Sequence, residues 1–174
     1  MDMSSMVNVV AGGGGSDVLK KILEGEITAL RGEDTKGITK IMVDYVLGDL
    51  MTSVAHRKIR SFSFPDVTEI CSRSFANTSA DFVYLPKCGI VHTYAFQYAT
   101  IDTLVLGTDL SDICRYPSDE MPNAGLRSSS TKIYVADQLV DKYISDIYWS
   151  RSVDDASNRF KPFSTLPDEY KALM

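Results

Sequence analysis

Ile59-Arg60-Ser61-Phe62-Ser63-Phe64-Pro65, Ala80-Asp81-Phe82-Val83-Tyr84-Leu85-Pro86 and Ile101-Asp102-Thr103-Leu104-Val105-Leu106-Gly107 are three versions of one phrase, each starting 21 residues after the last. The stretches between them also agree: Val67-x-x-Ile70 followed by Ser74-Phe75 returns as Cys88-x-x-Val91 followed by Ala95-Phe96. Within each phrase, apolar residues at alternating positions describe a strand with one face inward, so Phe62 and Phe64, Val83 and Leu85, and Leu104 and Leu106 point one way. Ile70, Phe75 and their counterparts must then close a ring of apolar side chains around a shared core, and one such ring cannot bury itself without its neighbours. Pro65 and Pro86 end ladder hydrogen bonding at the same point of successive copies.

A fixed period in the low twenties carrying L-x-x-L-x-L is the signature of a leucine-rich repeat. The expectation is an α/β repeat: a short leucine-rich-repeat solenoid of about three to four rungs with helical N- and C-terminal caps. The run Phe64-Pro65-Asp66-Val67-Thr68-Glu69-Ile70, Ser74-Phe75, Leu85-Pro86-Lys87-Cys88 and Tyr94-Ala95-Phe96 resembles the BspA-like leucine-rich repeat family, whose repeats read roughly L-P-x-V-x-x-I-x-x-x-A-F. Ile133 to Tyr143, Trp149-Ser150 and Lys161-Pro162 are similar to the way such arrays finish, so the resemblance covers about residues 19–166. It implies a protein of bacterial surfaces, serving in adhesion, or a phage structural protein, and it brings no catalytic residues.

Working outward, residues 1–15 read as a flexible glycine-rich tail, since Gly12 to Gly15 lack the Lys-Ser/Thr ending of a phosphate-binding loop. Residues 16–58 read as an N-terminal cap helix and an irregular first repeat. Ser16 caps Val18, Leu19, Ile22 and Leu23 at helical spacing, Glu26 to Leu30 is a first strand, and Met42 to about Ala55 is an inserted helix with His56 on its polar end. The repeat array is expected over 59–135, with a loop at 115–130 where Pro, Ser, Asp and Gly collect and where Met121, Pro122 and Leu126 fold back into the missing corner. From Asp137 a helix carrying Leu139, Val140, Tyr143, Ile144, Ile147 and Tyr148 on one side opens a C-terminal cap, 136–174, which Trp149, Phe160, Pro162 and Phe163 complete.

At 174 residues, 44% of them hydrophobic, the chain can bury a core without disulfides or metals. A net charge of −5 disfavours nucleic acid, and Arg57, Lys58 and Arg60 read as a solvated basic turn. No apolar run reaches the roughly 18 residues of a membrane helix, and Met1 to Val10 lack the basic flank of a signal peptide. The expected setting is nevertheless extracellular, on a bacterial surface or virion. His56 and His92 lie in no nucleophile or H-E-x-x-H motif, and the pairs Asp154-Asp155 and Asp119-Glu120 read as solvated charge, so no enzyme and no cofactor are expected.

Cys71, His92 and Cys114 each follow an inward residue, Ile70, Val91 or Ile113, and would stand in one column. Strands about 4.8 Å apart put Cys71 and Cys114 roughly 10 Å from each other, beyond the about 7 Å reach of a disulfide. As zinc ligands the three are weak candidates, because no fourth is signalled.

Binding is the remaining chemistry. Ser61, Phe82, Thr103 and Lys132 form one outward column of the expected sheet, and Ser63, Tyr84, Val105 and Tyr134 the next. Phe82, Tyr84, Val105 and Tyr134 are therefore the candidate binding residues, for a protein or a surface glycan, either exposed as anchors or covered by neighbours or by the 115–130 loop. Two function classes follow: a non-catalytic interaction module, adhesive or receptor-binding, or a structural accessory that assembles into a homo-oligomer or packs on another virion or envelope protein.

Overall fold

The computed structural model describes residues 28–33, 35–37, 39–41, 60–117, 123–126 and 130–174. The expected tail, the helix after Ser16, the inserted helix before Ala55, and His56, Met121 and Pro122 lie outside these residues. What forms is an α/β domain built on two parallel sheets. The large sheet contains β1 (Ala29–Leu30), β3 (Ser61–Ser63), β5 (Ser79–Leu85), β7 (Thr100–Leu106), β8 (Lys132–Val135) and β9 (Phe160–Pro162), in that spatial order. The small sheet contains β2 (Lys40–Ile41), β4 (Glu69–Ile70) and β6 (Ile90–Val91). The short helices α1 (Val140–Ser145), α2 (Ile147–Ser152), α3 (Ala156–Arg159) and α4 (Asp168–Lys171) all follow β8.

The 21-residue offset appears as strand register. Phe62 pairs with Val83 and Val83 with Leu104, all parallel, and Leu104 continues to Ile133. In the small sheet Ile41 pairs with Ile70 and Ile70 with Val91. These inward residues meet between the sheets, where Phe62, Phe64, Ile70, Val83, Leu85, Val91, Leu104 and Leu106 are buried. Phe75 and Phe96 fill the corner at equivalent positions, both inaccessible to solvent, with stacked rings 5.3 Å apart. Each corner is a chain of tight turns. Ser74, Ala76 and Thr78 donate their amides to the carbonyls of Cys71, Arg73 and Phe75, and Ala95, Gln97 and Ala99 do the same to His92, Tyr94 and Phe96. Turning this sharply puts Arg73, Asn77, Tyr94 and Tyr98 in the left-handed region, at φ 62°, 59°, 60° and 58°.

This architecture overturns the expected leucine-rich-repeat solenoid of three to four rungs with helical N- and C-terminal caps. The structure is instead a compact α/β domain with two parallel sheets. The stretches between large strands pair with each other as a second sheet of three strands, and the C-terminal region returns to the large sheet as a strand. Ile133, Tyr134 and Val135 pair with Phe160, Lys161 and Pro162, so the edge expected under a helical lid carries β9. A repeated phrase specifies which strands are neighbours and which side chains face inward. It does not specify what the non-repeating remainder pairs with.

The single helix expected from Asp137 is also divided. A 3-10 turn over Asp137–Leu139 leads into α1, and Asp146, at φ −69° and ψ 127°, breaks the helix and starts α2 by accepting hydrogen bonds from the amides of Tyr148 and Trp149, both 2.9 Å. The break rotates the apolar face. Leu139, Tyr143 and Trp149 are buried, while Ile147 and Tyr148, expected on the same side, are 55% and 50% exposed.

Two polar residues serve this end of the core. Cys114 is buried; its amide bonds the Tyr143 hydroxyl at 2.8 Å, its carbonyl accepts from the Trp149 indole at 2.9 Å, and its thiol donates to the Cys88 carbonyl at 2.8 Å. Arg159, only 5% exposed, donates to the carbonyls of Thr131 and Leu126 at 2.8 and 2.9 Å. These carbonyls give Nε and Nη1 of the guanidinium acceptors inside the protein, which offsets part of the cost of burying the charge. Nearby, Ala124 and Leu126 are fully buried, so Leu126 does fold back into the third corner.

Candidate functional site

The two outward columns have the expected register: Ser61, Phe82, Thr103 and Lys132 are successive partners, as are Ser63, Tyr84, Val105 and Tyr134. Their surroundings differ from those of exposed anchors. Phe82 and Val105 are inaccessible, Tyr134 is 9% exposed, and only Tyr84 is half-buried. Together with Leu166 they form a second apolar cluster on the side of the large sheet away from the main core, joined by Phe163, Tyr170 and Leu173. The cover is the segment 163–173, a 3-10 turn (Phe163–Thr165) followed by α4, and not the 115–130 loop. Tyr170 stacks on Phe82 with ring centroids 5.2 Å apart, and Phe82 on Tyr84 at 6.3 Å. The Ser164 amide is tied at 2.9 Å to the Asp137 carboxylate, and the Ser164 side chain first, with this amide after it, holds that carboxyl below the ordinary aspartate range. Burial raises the Tyr84 and Tyr134 phenols above the ordinary tyrosine range.

The covering residues left a trace in the sequence. Phe163, Leu166, Tyr170 and Leu173 recur at intervals of three and four, an amphipathic spacing that announces one apolar side. Pro167 divides the segment into two short turns, which hides the periodicity from a reading that looks for one helix.

The column of Cys71, His92 and Cys114 does not form. Ile90 bridges Arg115 rather than Asp112, so Cys114 stands three positions out of the expected register and enters the core. Burial pushes its thiol up to about 12, with the Tyr143 hydrogen bond opposing, and raises Cys88 well above the ordinary thiol range. Neither is a ready nucleophile or metal ligand. No cysteine of the three is in a disulfide.

Cys71 and His92 do come together, joined by a residue the sequence reading passed over. Glu69, Cys71 and His92 hold their ligating atoms within 4.8 Å of one another, and each is partly buried. The arrangement follows from the small sheet. Glu69 and Cys71 flank the inward Ile70 and face outward from one strand, while His92 follows the inward Val91 on the next. His92 Nε2 lies 2.8 Å from Glu69 Oε1, and Lys40 Nζ, from β2, lies 2.6 Å from the same oxygen. The Lys40 hydrogen bond first, and that of His92 after it, hold the Glu69 carboxyl below its ordinary range against partial burial.

A third feature is a cleft of about 390 Å³ between residues 112–117 and the start of the helices, lined among others by Ile113, Tyr116, Tyr148 and Trp149. Its charges neutralise each other: Asp112 accepts from Lys142 Nζ at 2.6 Å, Arg115 Nη2 at 3.1 Å and the Ile113 amide at 2.7 Å. Of the basic turn read near Ile59, Arg60 pairs with Asp81; Arg57 and Lys58 lie outside the described residues. No helix among the described residues is long and apolar enough to cross a membrane. Comparison with known proteins returns no matching family model, no matching curated protein and no matching solved structure.

Proposed function

We propose that this chain is a non-catalytic interaction module, adhesive or receptor-binding, working at a bacterial surface or on a virion, and that it engages its partner through the outer face of the large sheet. The observation that supports this is the second apolar cluster. Phe82, Tyr84, Val105 and Tyr134 sit on a hydrogen-bonded platform and hold a short segment by aromatic stacking and apolar contact. A sheet face that accepts eleven residues carrying apolar side chains at intervals of three and four has the chemistry to accept a comparable segment of another protein. The Phe82 and Val105 side chains of this face carry no hydrogen-bonding groups, which favours a protein segment over a glycan.

A second reading, the structural accessory, is favoured by the same segment. Residues 163–173 leave the sheet directly after Pro162, so exchange between two copies would conserve every contact of the cluster and give a homo-oligomer without a new interface.

The test is to express the chain without residues 163–174 and to measure its binding to a labelled peptide of that sequence. Saturable binding by the shortened chain, reduced at least tenfold by Tyr84→Ser, is the expected result. A soluble, folded, shortened chain that ignores the peptide sinks the proposal. Light scattering of the full chain separates the two readings: a monomer that adheres to bacterial cells or particles supports the module, a closed dimer the accessory.

A further inference from the structure

We propose that Glu69, Cys71 and His92 form a binding site for zinc or a similar thiophilic divalent cation. The donor set is one carboxylate oxygen, one sulfur and one imidazole nitrogen, a combination that suits borderline-soft Zn²⁺ and is poorly matched to calcium or magnesium, which take oxygen ligands.

The backbone holds these donors in place. Ile70 and Val91, adjacent partners in the small sheet, are inaccessible to solvent and fix the strands from the inside. The Cys71 amide donates to the Ile41 carbonyl and the His92 amide to the Ile70 carbonyl, both at 3.0 Å, so all three ligands project from a continuous ladder rather than a loose loop. Zinc bonds of about 2.3 Å to sulfur and about 2.0 to 2.2 Å to nitrogen and oxygen put tetrahedral donors roughly 3.3 to 3.7 Å apart. The three donors here lie within 4.8 Å. Small χ rotations that open the 2.8 Å contact between Glu69 and His92 and draw Cys71 Sγ inward reach that spacing on the same backbone. Glu69 and His92 side chains are 22% and 20% exposed, which leaves an entry path while removing part of the competing water.

Three protein ligands leave the fourth tetrahedral position to water or to a ligand from a partner, the open arrangement of an exchangeable site. On binding, the Cys71 S–H bond breaks, its proton passes to solvent and a sulfur–metal bond forms; no oxidation change is involved. Lys40 is the internal competitor. Its ammonium rests on the same Glu69 oxygen at 2.6 Å, but with its side chain 36% exposed it can withdraw into solvent when a dication takes the carboxylate.

Cobalt(II) titration of the full chain, followed by zinc displacement, reads the site directly, because a thiolate ligand produces a sulfur-to-cobalt charge-transfer absorption. One equivalent of cobalt per chain should develop that band and zinc should abolish it. Cys71→Ser should remove the band, His92→Gln should weaken binding by about tenfold or more, and Lys40→Met should tighten it several-fold by removing the competitor. Absence of the band in the wild-type chain, or its persistence in Cys71→Ser, overturns the site. If either ligand variant proves misfolded by circular dichroism, alkylation of the wild-type chain decides. Zinc should slow modification of Cys71 by iodoacetamide at least tenfold, and an unchanged rate counts against the proposal.

Discussion

Several residues of this protein sit in conformations their side chains do not favour. Tyr98 is 77% exposed at φ 58°, and its counterpart 21 positions earlier is Asn77 at φ 59°. Asparagine tolerates the left-handed region because its short polar side chain bonds locally, whereas tyrosine is strained there and gains no burial in return. Tyr98→Asn should therefore raise stability by about 0.5 to 1 kcal/mol in urea unfolding; no gain would mean that the ring contributes contacts its exposure does not suggest. Gly107 occupies the place of Pro65 and Pro86 in the third phrase, with φ at 61°, which proline cannot adopt. A Cβ there would stand 2.8 Å from Cys114 Sγ and 3.0 Å from Leu110 Cδ1. Gly37 also has positive φ, 82°, but none of the described residues comes within 4 Å of its would-be Cβ. Gly107→Ala should cost about 2 to 3 kcal/mol and Gly37→Ala about 1 kcal/mol, the difference reporting the clash.

Among the elements, β5 carries the sharpest test of which side chains are covered. By alternation alone Phe82 and Tyr84 look equally outward, and replacing them would leave stability almost unchanged. With Phe82 inaccessible under Tyr170 and Tyr84 half-buried, the two should now separate: Phe82→Ser should lower stability by about 3 to 5 kcal/mol and Tyr84→Ser by clearly less. Equal small losses would show that segment 163–173 leaves the sheet in solution. At the other end of the fold, Asp112 links the 112–117 stretch to α1. Hydrogen bonds from Lys142, the Ile113 amide and Arg115 lower its pKa from 3.8 to about 2. Because the folded pKa is depressed, its contribution is complete above the unfolded value near 4 and disappears as pH falls through about 2. Unfolding measured from pH 5 to pH 2 should show an acid loss that is smaller in Asp112→Asn; identical pH profiles would mean the cluster is solvated and inert.

For the molecule as a whole, the C-terminal region contributes to both apolar clusters. Tyr143, Trp149 and Phe160 pack in the main core, with Tyr143 and Phe160 stacked at 5.0 Å, while Leu166 sits in the outer one. β9 also covers the edge of β8. A chain ending before Asp137 should lose cooperative melting and aggregate, since it exposes Ile133, Val135 and an unpaired strand edge together. A monomer with an unchanged melting temperature would show that 137–174 is an independent attachment.

Neighbour relations inside the repeated phrase are legible from the residues alone. The 21-residue period and the alternation of Phe62, Val83 and Leu104 with Ser61, Phe82 and Thr103 set which residues pair and which side they take, because both depend on backbone geometry within a few residues. Tertiary structure alone decided the rest. It decided that the stretches between phrases form a second sheet, that Phe160 to Pro162 return as a strand, and that Ile90 aligns with Arg115 and so sends Cys114 inward. It also brought Glu69 to Cys71 and His92, and laid residues 163–173 over the aromatic columns. These are contacts between distant, non-repeating segments. Local patterning marks each as apolar or polar, but which surface each one covers depends on the space left after the others have packed.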